Sequence, residues 1–245
     1  MLLPTPLYIC RTFLRRARFS TEARNNNYFF NGPAIPDNSL FSFHPYFFTE
    51  AEQKILLRSS LRKLDSTSSR LNRRRRRLLS DQTNSASLPT SNLFLPDDLY
   101  EFHEGHYDGV IHGYREMHVT SWASEDVDEL NPLLARLKGL VPDVKMQTHI
   151  LHLSSLGEIL PHIDNLDASG SWILGVSLGF PRVLRLEKAD SPSEYCDVLL
   201  PSGSVYVQRD NIRFEYKHSI LKDEIFRGEV KTGGQRLSVM LRDLK

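Results

Sequence analysis

A mainly β domain with flanking helices (α+β), closed as a jelly roll of cupin type, is the fold this sequence predicts. Three observations predict it. From Met146 to the C-terminal end the chain divides into seven or eight short stretches of strand character. Turn-forming residues separate them at near-even spacing, as in a double-sheet jelly roll. Ahead of them, one amphipathic stretch after Thr49 carries the period of a helix.

In chain order, residues 1–24 hold Arg11, Arg15, Arg16 and Arg18 among Leu, Phe and Ser, with no acid before Glu22. Arg-rich, acid-poor and amphipathic is the composition of a mitochondrial transit peptide, which places the protein in the mitochondrial matrix. Residues 25–45 lack a clear period and read as a linker. Thr49-Glu50-Ala51-Glu52 has capping-box spacing, and Leu57, Leu61 and Leu64 stripe one face of the helix behind it. Phe47 and Phe48 stand where they staple its entry.

Residues 46–99 are therefore an N-terminal helix followed by a basic segment, centred on the unbroken run Arg73–Arg77. Like charges repel, so the run is expected to be a solvated tether. A nucleic-acid handle is the competing reading, but no aromatics interleave to offer stacking platforms. His103, His106, His112 and His118 suggest zinc, yet they have neither cysteines nor paired spacing, and rim imidazoles are the plainer reading.

Val127 to Leu140 reads as a short helix around Pro132, with Leu130, Leu133, Leu134 and Leu137 facing inward. Strands are expected at Thr148–Leu153, Trp172–Leu178, Val183–Glu187, Val198–Leu200, Ser204–Val207, Arg213–Tyr216 and Leu237–Leu241. The turns between them fall at Asp167-Ala168-Ser169-Gly170, Pro181, Pro192 and Pro201-Ser202-Gly203.

A length of 245 residues with 40% hydrophobic content allows one domain with a full core, expected over residues 100–245, plus extensions. No run approaches the ~20 apolar residues that span a bilayer, so no transmembrane segment is expected. Cys10 and Cys196 are the two cysteines; with Cys10 in the leader, no internal disulfide is expected. The net charge of +1 hides a division, because residues 78–245 carry 16 basic and 25 acidic side chains. An acidic domain is a poor surface for duplex DNA.

The chemistry lies in two motifs of the second half. His162-Ile163-Asp164 with His218 downstream offers two imidazoles and a carboxylate, the facial triad of non-haem Fe(II) oxygenases. On a strand, residues two apart share a face, so His162 and Asp164 can reach one metal. Both imidazoles must bind neutral, so metal affinity should fall as pH drops through about 6.5. Arg236 and Arg242 flank Leu237-Ser238-Val239-Met240-Leu241 and also share strand parity. Paired guanidiniums suit a dicarboxylate, and the combination points to Fe(2+) plus 2-oxoglutarate. Ser238, of the same parity, is placed to add a hydrogen bond.

The order HxD, strands, His, then RxxxxxR on the closing strand resembles the AlkB-like family of Fe(II)/2-oxoglutarate-dependent dioxygenases, over about residues 100 to 245. Ile111-His112-Gly113-Tyr114-Arg115-Glu116 and Gly203-Ser204-Val205-Tyr206 resemble its small mitochondrial alkB homolog 7 branch. The resemblance implies a double-stranded β-helix with iron held by His162, Asp164 and His218 in its open mouth. It implies that Arg236 grips the distal carboxylate of 2-oxoglutarate, that Arg242 lies nearer the iron, and that Tyr206 donates its hydroxyl to the cosubstrate.

Many members carry Asn-x-Tyr before HxD; here Leu151-His152-Leu153 stands there, as in the mitochondrial branch. The implied reaction couples dioxygen and 2-oxoglutarate decarboxylation to hydroxylation of a C–H bond, or to loss of an N-methyl group. A protein side chain is the expected substrate, structured mitochondrial RNA the alternative, and a non-catalytic interaction module a third reading that the intact motifs oppose. The branch is linked to fatty-acid metabolism and to programmed necrosis after alkylation damage.

Overall fold

The computed structural model describes residues 29–34, 36–66, 74–75, 77–78, 89–167 and 170–244. The expected leader with Cys10, Arg73 and Arg76 of the basic run, and Ala168-Ser169 of one expected turn lie outside the described residues.

In chain order the elements are β1 (Phe30–Asn31), β2 (Phe41–His44), α1 (Glu50–Leu64), β3 (His103–Gly105), β4 (Ile111–Val119) and α2 (Val127–Lys138). The long strand β5 (Met146–His162) follows, then β6 (Trp172–Gly179), β7 (Arg182–Lys188), β8 (Ser191–Leu200) and β9 (Ser204–Arg209). A short helix α3 (Asp210–Glu215) leads into β10 (Tyr216–Ile220), the hairpin β11 (Glu224–Phe226) and β12 (Glu229–Lys231), and the closing strand β13 (Arg236–Asp243).

One continuous antiparallel path, β1-β8-β7-β10-β5-β13-β6-β9-β2, runs through the sheet. It curls because β5 serves two faces. Met146 to Leu153 pair with β13, whereas Ile159 and His162 pair with β10. With β5 counted as the first and second of eight core strands, one face has the order 1-8-3-6 and the other 2-7-4-5, which is a jelly roll. The bend in β5 needs a glycine. A Cβ on Gly157 would sit 2.4 Å from Gly113 O, and the β4–β5 register shifts beside this crossing.

Strand alternation then divides the side chains. Leu237, Val239 and Leu241 of β13 turn outward, where they join Ile150, Leu174, Val176, Leu178, Val205 and Val207 against Leu56, Leu57 and Leu61 of α1 and Leu130, Leu133 and Leu137 of α2. The other parity, Arg236, Ser238, Met240 and Arg242, faces the barrel interior. A second core of Leu151, Leu153, Val183, Leu186, Val198 and Tyr206 lies on that side. α1 begins as the capping box foretells: Thr49 Oγ1 accepts from Glu52 N, and Glu52 Oε2 accepts from Thr49 N at 2.9 Å. In α2, Pro132 lies inside the helix and Leu134 is only half-buried.

Four expectations are corrected. The stretch read as linker, residues 25–45, supplies β1, paired with β8, and β2, paired with β9; Phe29, Phe30, Phe41 and Phe43 are buried there. Their aromatic spacing carries no period because each strand is too short to show one. The strand expected at Arg213–Tyr216 is the end of α3 followed by β10. Alternation of charge and ring imitates a strand, but Ile212 and Arg213 are buried consecutively while Phe214 is exposed. Pro192 does not break the chain; it lies inside β8, in that strand's outer, exposed end. Arg75, expected on a solvated tether, is 2% exposed and ion-paired to Asp65 at 3.2 Å.

Thr49→Ala should cost about 1 kcal/mol of stability, since it removes one half of the capping box. Chemical denaturation of the variant checks this, and an unchanged midpoint would contradict it.

Candidate iron and 2-oxoglutarate site

His162 is the last residue of β5, and His218 stands directly opposite it on β10. Their rings lie 4.2 Å apart between centroids. Asp164 lies just past the strand end, so loop geometry rather than strand parity brings it back. Its Oδ1 is 3.2 Å from His162 Nε2 and 3.8 Å from His218 Nε2. One ligand atom from each residue lies within 4.8 Å of the others, and this is the one such group among the described residues.

His162 Nδ1 is 2.9 Å from Leu160 O. A carbonyl can only accept, so Nδ1 carries a proton; Nε2 faces Asp164 Oδ1, and although burial opposes it, that contact and the Asp164 charge raise the imidazole above its ordinary range. Burial drives the His218 imidazole down to about 4, keeping it neutral. Burial alone would raise the Asp164 carboxyl, but His218, the His162 hydrogen bond and Arg213 outweigh it and hold the group well below the usual carboxylate range. Two imidazoles and a carboxylate, partly exposed on one side, fit Fe(2+), which would take the place of the Nε2 proton of His162, with coordination positions left for a cosubstrate and dioxygen.

Arg213 was not singled out by the sequence. From α3 it donates to Asp164 O at 3.2 Å and Asn165 O at 3.3 Å, clamping the loop that carries the carboxylate. Its signal is hidden because the short helix resembles a strand in sequence.

Arg236 is 1% exposed. Its Nε donates to Ser177 Oγ at 2.9 Å, and the Tyr206 hydroxyl lies close enough for each group to feel the other. Arg236 Nη2 is buried without a partner, and no Asp or Glu among the described residues pairs with this cation. A buried charge left so is costly unless a counter-ion completes it. A ligand carboxylate fits that gap.

Tyr206 has room because its register neighbour on β6 is Gly175, where a Cβ would lie 2.4 Å from the Tyr206 ring. An isolated glycine in an apolar strand is the signal that could have found it. Ser238 faces inward opposite Ser177 and Leu151. Arg242 lies at the far end of β13, its Nε donating to Gln147 Oε1 at 3.2 Å, and its charge acts on Arg213, nearer the metal ligands.

One wall of the mouth carries a second group. Glu116 and His118 pair in register with Leu151 and His149, and those with Ser238 and Met240, so all face the interior. Glu116 Oε2 is 3.0 Å from His149 Nε2, and His149 stacks on His118 at 4.6 Å. At the hairpin turn, Asp108 Oδ1 is 2.8 Å from His106 Nδ1, and its charge is felt by His162. The His149 hydrogen bond, against burial, holds the Glu116 carboxyl below its ordinary range. His103 and His112 stay outside this group; His112 bonds to backbone carbonyls of Glu104 and Gly109.

A jelly roll holding a His-Asp-His cluster, and a buried arginine without an acidic partner among the described residues, are features of oxygenases of the iron and 2-oxoglutarate class. A family model, the 2OG-Fe(II) oxygenase superfamily, matches residues 41–242, and the chain belongs to that family. Within it the chain is similar to the AlkB-type proteins. It is 37% identical over 147 residues to the alpha-ketoglutarate-dependent dioxygenase alkB homolog 7, mitochondrial, of Bos taurus, and 35% identical to that of Mus musculus. Each match covers 59% of this chain and 66% of the relative, just under two thirds of its length. A solved structure, that of OsALKBH1, aligns at 14% identity with a TM-score of 0.49 over 83% of this chain and 98% of that one.

Asp164→Ala should abolish binding of Fe(II) or Mn(II) while leaving the melting curve intact, because the carboxylate's partners are the two imidazoles and the ion. Arg213→Met should weaken metal binding by about tenfold through the loosened loop. Metal titration monitored calorimetrically checks both, and normal affinity in the first variant would remove Asp164 from the ligand set.

Proposed function

We propose that this chain is a mitochondrial Fe(II)- and 2-oxoglutarate-dependent dioxygenase that hydroxylates a protein side chain. The observation that carries the catalytic half is the fully buried Arg236, whose unpartnered Nη2 shares the barrel interior with His162, Asp164 and His218. In this reading the three side chains hold iron, and Arg236 with the Tyr206 hydroxyl holds the distal carboxylate of 2-oxoglutarate. Ser238 lines the same wall, and Arg242 steadies the metal end. When bound, iron and 2-oxoglutarate would activate dioxygen, one oxygen atom converting C–H to C–OH and the other passing to succinate as CO2 is released. The protein's part is to fix both in place and leave one side of the metal open to substrate.

The choice of a protein substrate is supported by the acidic wall. Asp108 and Glu116 line the mouth with imidazole partners, and no Lys or Arg pairs with either among the described residues. A phosphate backbone brought to the metal would meet both carboxylates at close range. The mitochondrial half rests on the composition of residues 1–24 and on relatives named mitochondrial. The links to fatty-acid metabolism and alkylation-induced programmed necrosis follow the same resemblance.

Demethylation of structured mitochondrial RNA remains the second reading, because Arg74 and Arg77 are exposed. Arg75, being buried, is no part of such a handle. If Arg74 and Arg77 each grip one phosphate, changing both to Gln should flatten the log–log salt slope of RNA binding by about 1.4, at ~0.7 per contact on single strands. The expected outcome is no change in slope or affinity; a flattened slope would favour the RNA reading. Mass spectrometry of mitochondrial protein and RNA from cells with and without the chain identifies the substrate. A one-oxygen increment on a peptide is expected, and an N-methyl change confined to RNA would overturn the protein assignment. Residues 1–24 fused to a fluorescent reporter should carry it into mitochondria; a diffuse cytosolic signal would remove the localisation.

A further inference from the structure

We propose that a buried chain of hydrogen bonds, Asp65 to Arg115 to His152 to Gln235, positions the cosubstrate arginine by fixing where β13 enters the barrel. The inference rests on the reading of Arg236 as the clamp for 2-oxoglutarate. It concerns residues that touch neither metal nor cosubstrate, so they are positioning residues.

The chain starts at Asp65, which is 0% exposed and closes the end of α1. Its Oδ1 accepts from Arg115 Nη1 at 2.5 Å and from Arg75 Nε at 3.2 Å. Arg115, on β4, lies 4.4 Å over the Tyr100 ring and donates from Nε to His152 Nδ1 at 3.0 Å. An arginine cannot accept, so the proton of His152 is on Nε2. That N–H donates to Gln235 Oε1 at 3.0 Å, and the other end of the amide donates to Leu95 O at 2.7 Å. Each link fixes the direction of the next, and none can reverse without leaving a buried polar group unmet.

His152 is packed on three sides by Phe94, Tyr100 and Phe102 at 5.1, 4.9 and 5.0 Å. Burial first, and the Arg115 charge second, hold its imidazole well below its ordinary range. The link therefore stays neutral, with one tautomer.

The far end of this chain reaches the cosubstrate strand. Gln235 immediately precedes Arg236, and successive strand residues point to opposite faces. Gln235 is thus tied on the outer face while Arg236 projects inward. Gln235 O accepts from Phe180 N at 3.0 Å, fixing the same point to the turn after β6. On the other side of Arg236, Leu237 stands in register with His152 itself. Both neighbours of Arg236 are therefore tied to His152, one by its side chain and one by strand pairing. A guanidinium held among the described residues by a single hydrogen bond to Ser177 needs this fixed backbone to remain aimed at an incoming carboxylate. Such pre-setting raises ligand affinity without altering the reaction step.

His152→Phe fills the aromatic box and deletes both hydrogen bonds; Gln235→Leu cuts only the last link. Calorimetric titration of 2-oxoglutarate into the full chain loaded with Mn(II), under anaerobic conditions, reads binding without turnover. Both variants should raise the dissociation constant for 2-oxoglutarate by about tenfold, with metal affinity and kcat at saturating cosubstrate within about twofold of the parent. Unchanged 2-oxoglutarate affinity in either folded variant overturns the proposal, even if its melting temperature falls. If neither variant folds, the chain serves stability alone and the proposal is equally overturned. Arg236→Met in the same titration separates the two claims. Loss of binding there with normal binding in the relay variants sinks the relay only, whereas normal binding in Arg236→Met sinks the clamp reading beneath it.

Discussion

A guanidinium buried to 1% exposure, with a donor atom left unmet and no carboxylate partner among the described residues, sets what the surrounding structure has to provide. Arg236 donates to Ser177 and lies beside Tyr206 rather than being neutralised by an acid. Gly175 is small because the Tyr206 ring fills the space a side chain would take. β13 itself lies between β5 and β6, with its apolar parity buried against α1 and α2. The hydrophobic core thus supports a strand whose inner face is polar and, at Arg236, electrostatically incomplete.

The His162, Asp164 and His218 cluster is placed by the neighbouring strand. β5 pairs with β13 along its first half and with β10 at its end, so β5 spans from the partner of Arg236 to His162. His218 arrives from β10 in direct register with His162, and Arg213 secures the loop bearing Asp164. Strand pairing is rigid, so both imidazoles are fixed by the sheet and the loop carboxylate is fixed by an arginine. The β3–β4 hairpin brings Asp108, Glu116, His106 and His118 to a neighbouring wall, where His149 of β5 joins them.

Much of this was legible in the sequence, for identifiable reasons. Residue types with narrow chemical uses, His162, Asp164 and His218, announce themselves by order and spacing. The even separation of Arg236 and Arg242 foretells a shared inner face, and β13 realises it. The capping box at Thr49 foretells where α1 begins, because cap chemistry is local. What failed was non-local. Phe30 and Phe41 become strand residues only by pairing with β8 and β9, and nothing within residues 25–45 records those partners. Arg75 reads as one solvated charge among five until Asp65, Leu99 and Glu101 are brought around it. Arg213 and Phe214 alternate like a strand although tertiary packing winds them into a helix.

The central claim is that one pocket holds a metal on His162, Asp164 and His218 and a dicarboxylate on Arg236. The most direct measurement is a crystal structure of the protein grown anaerobically with Mn(II) and 2-oxoglutarate. The expected result is a metal ion bound by those three side chains, with the distal carboxylate on Arg236 Nη2 and within reach of the Tyr206 hydroxyl. A metal held by other residues, or a cosubstrate carboxylate that leaves Arg236 Nη2 unmet, would contradict the account.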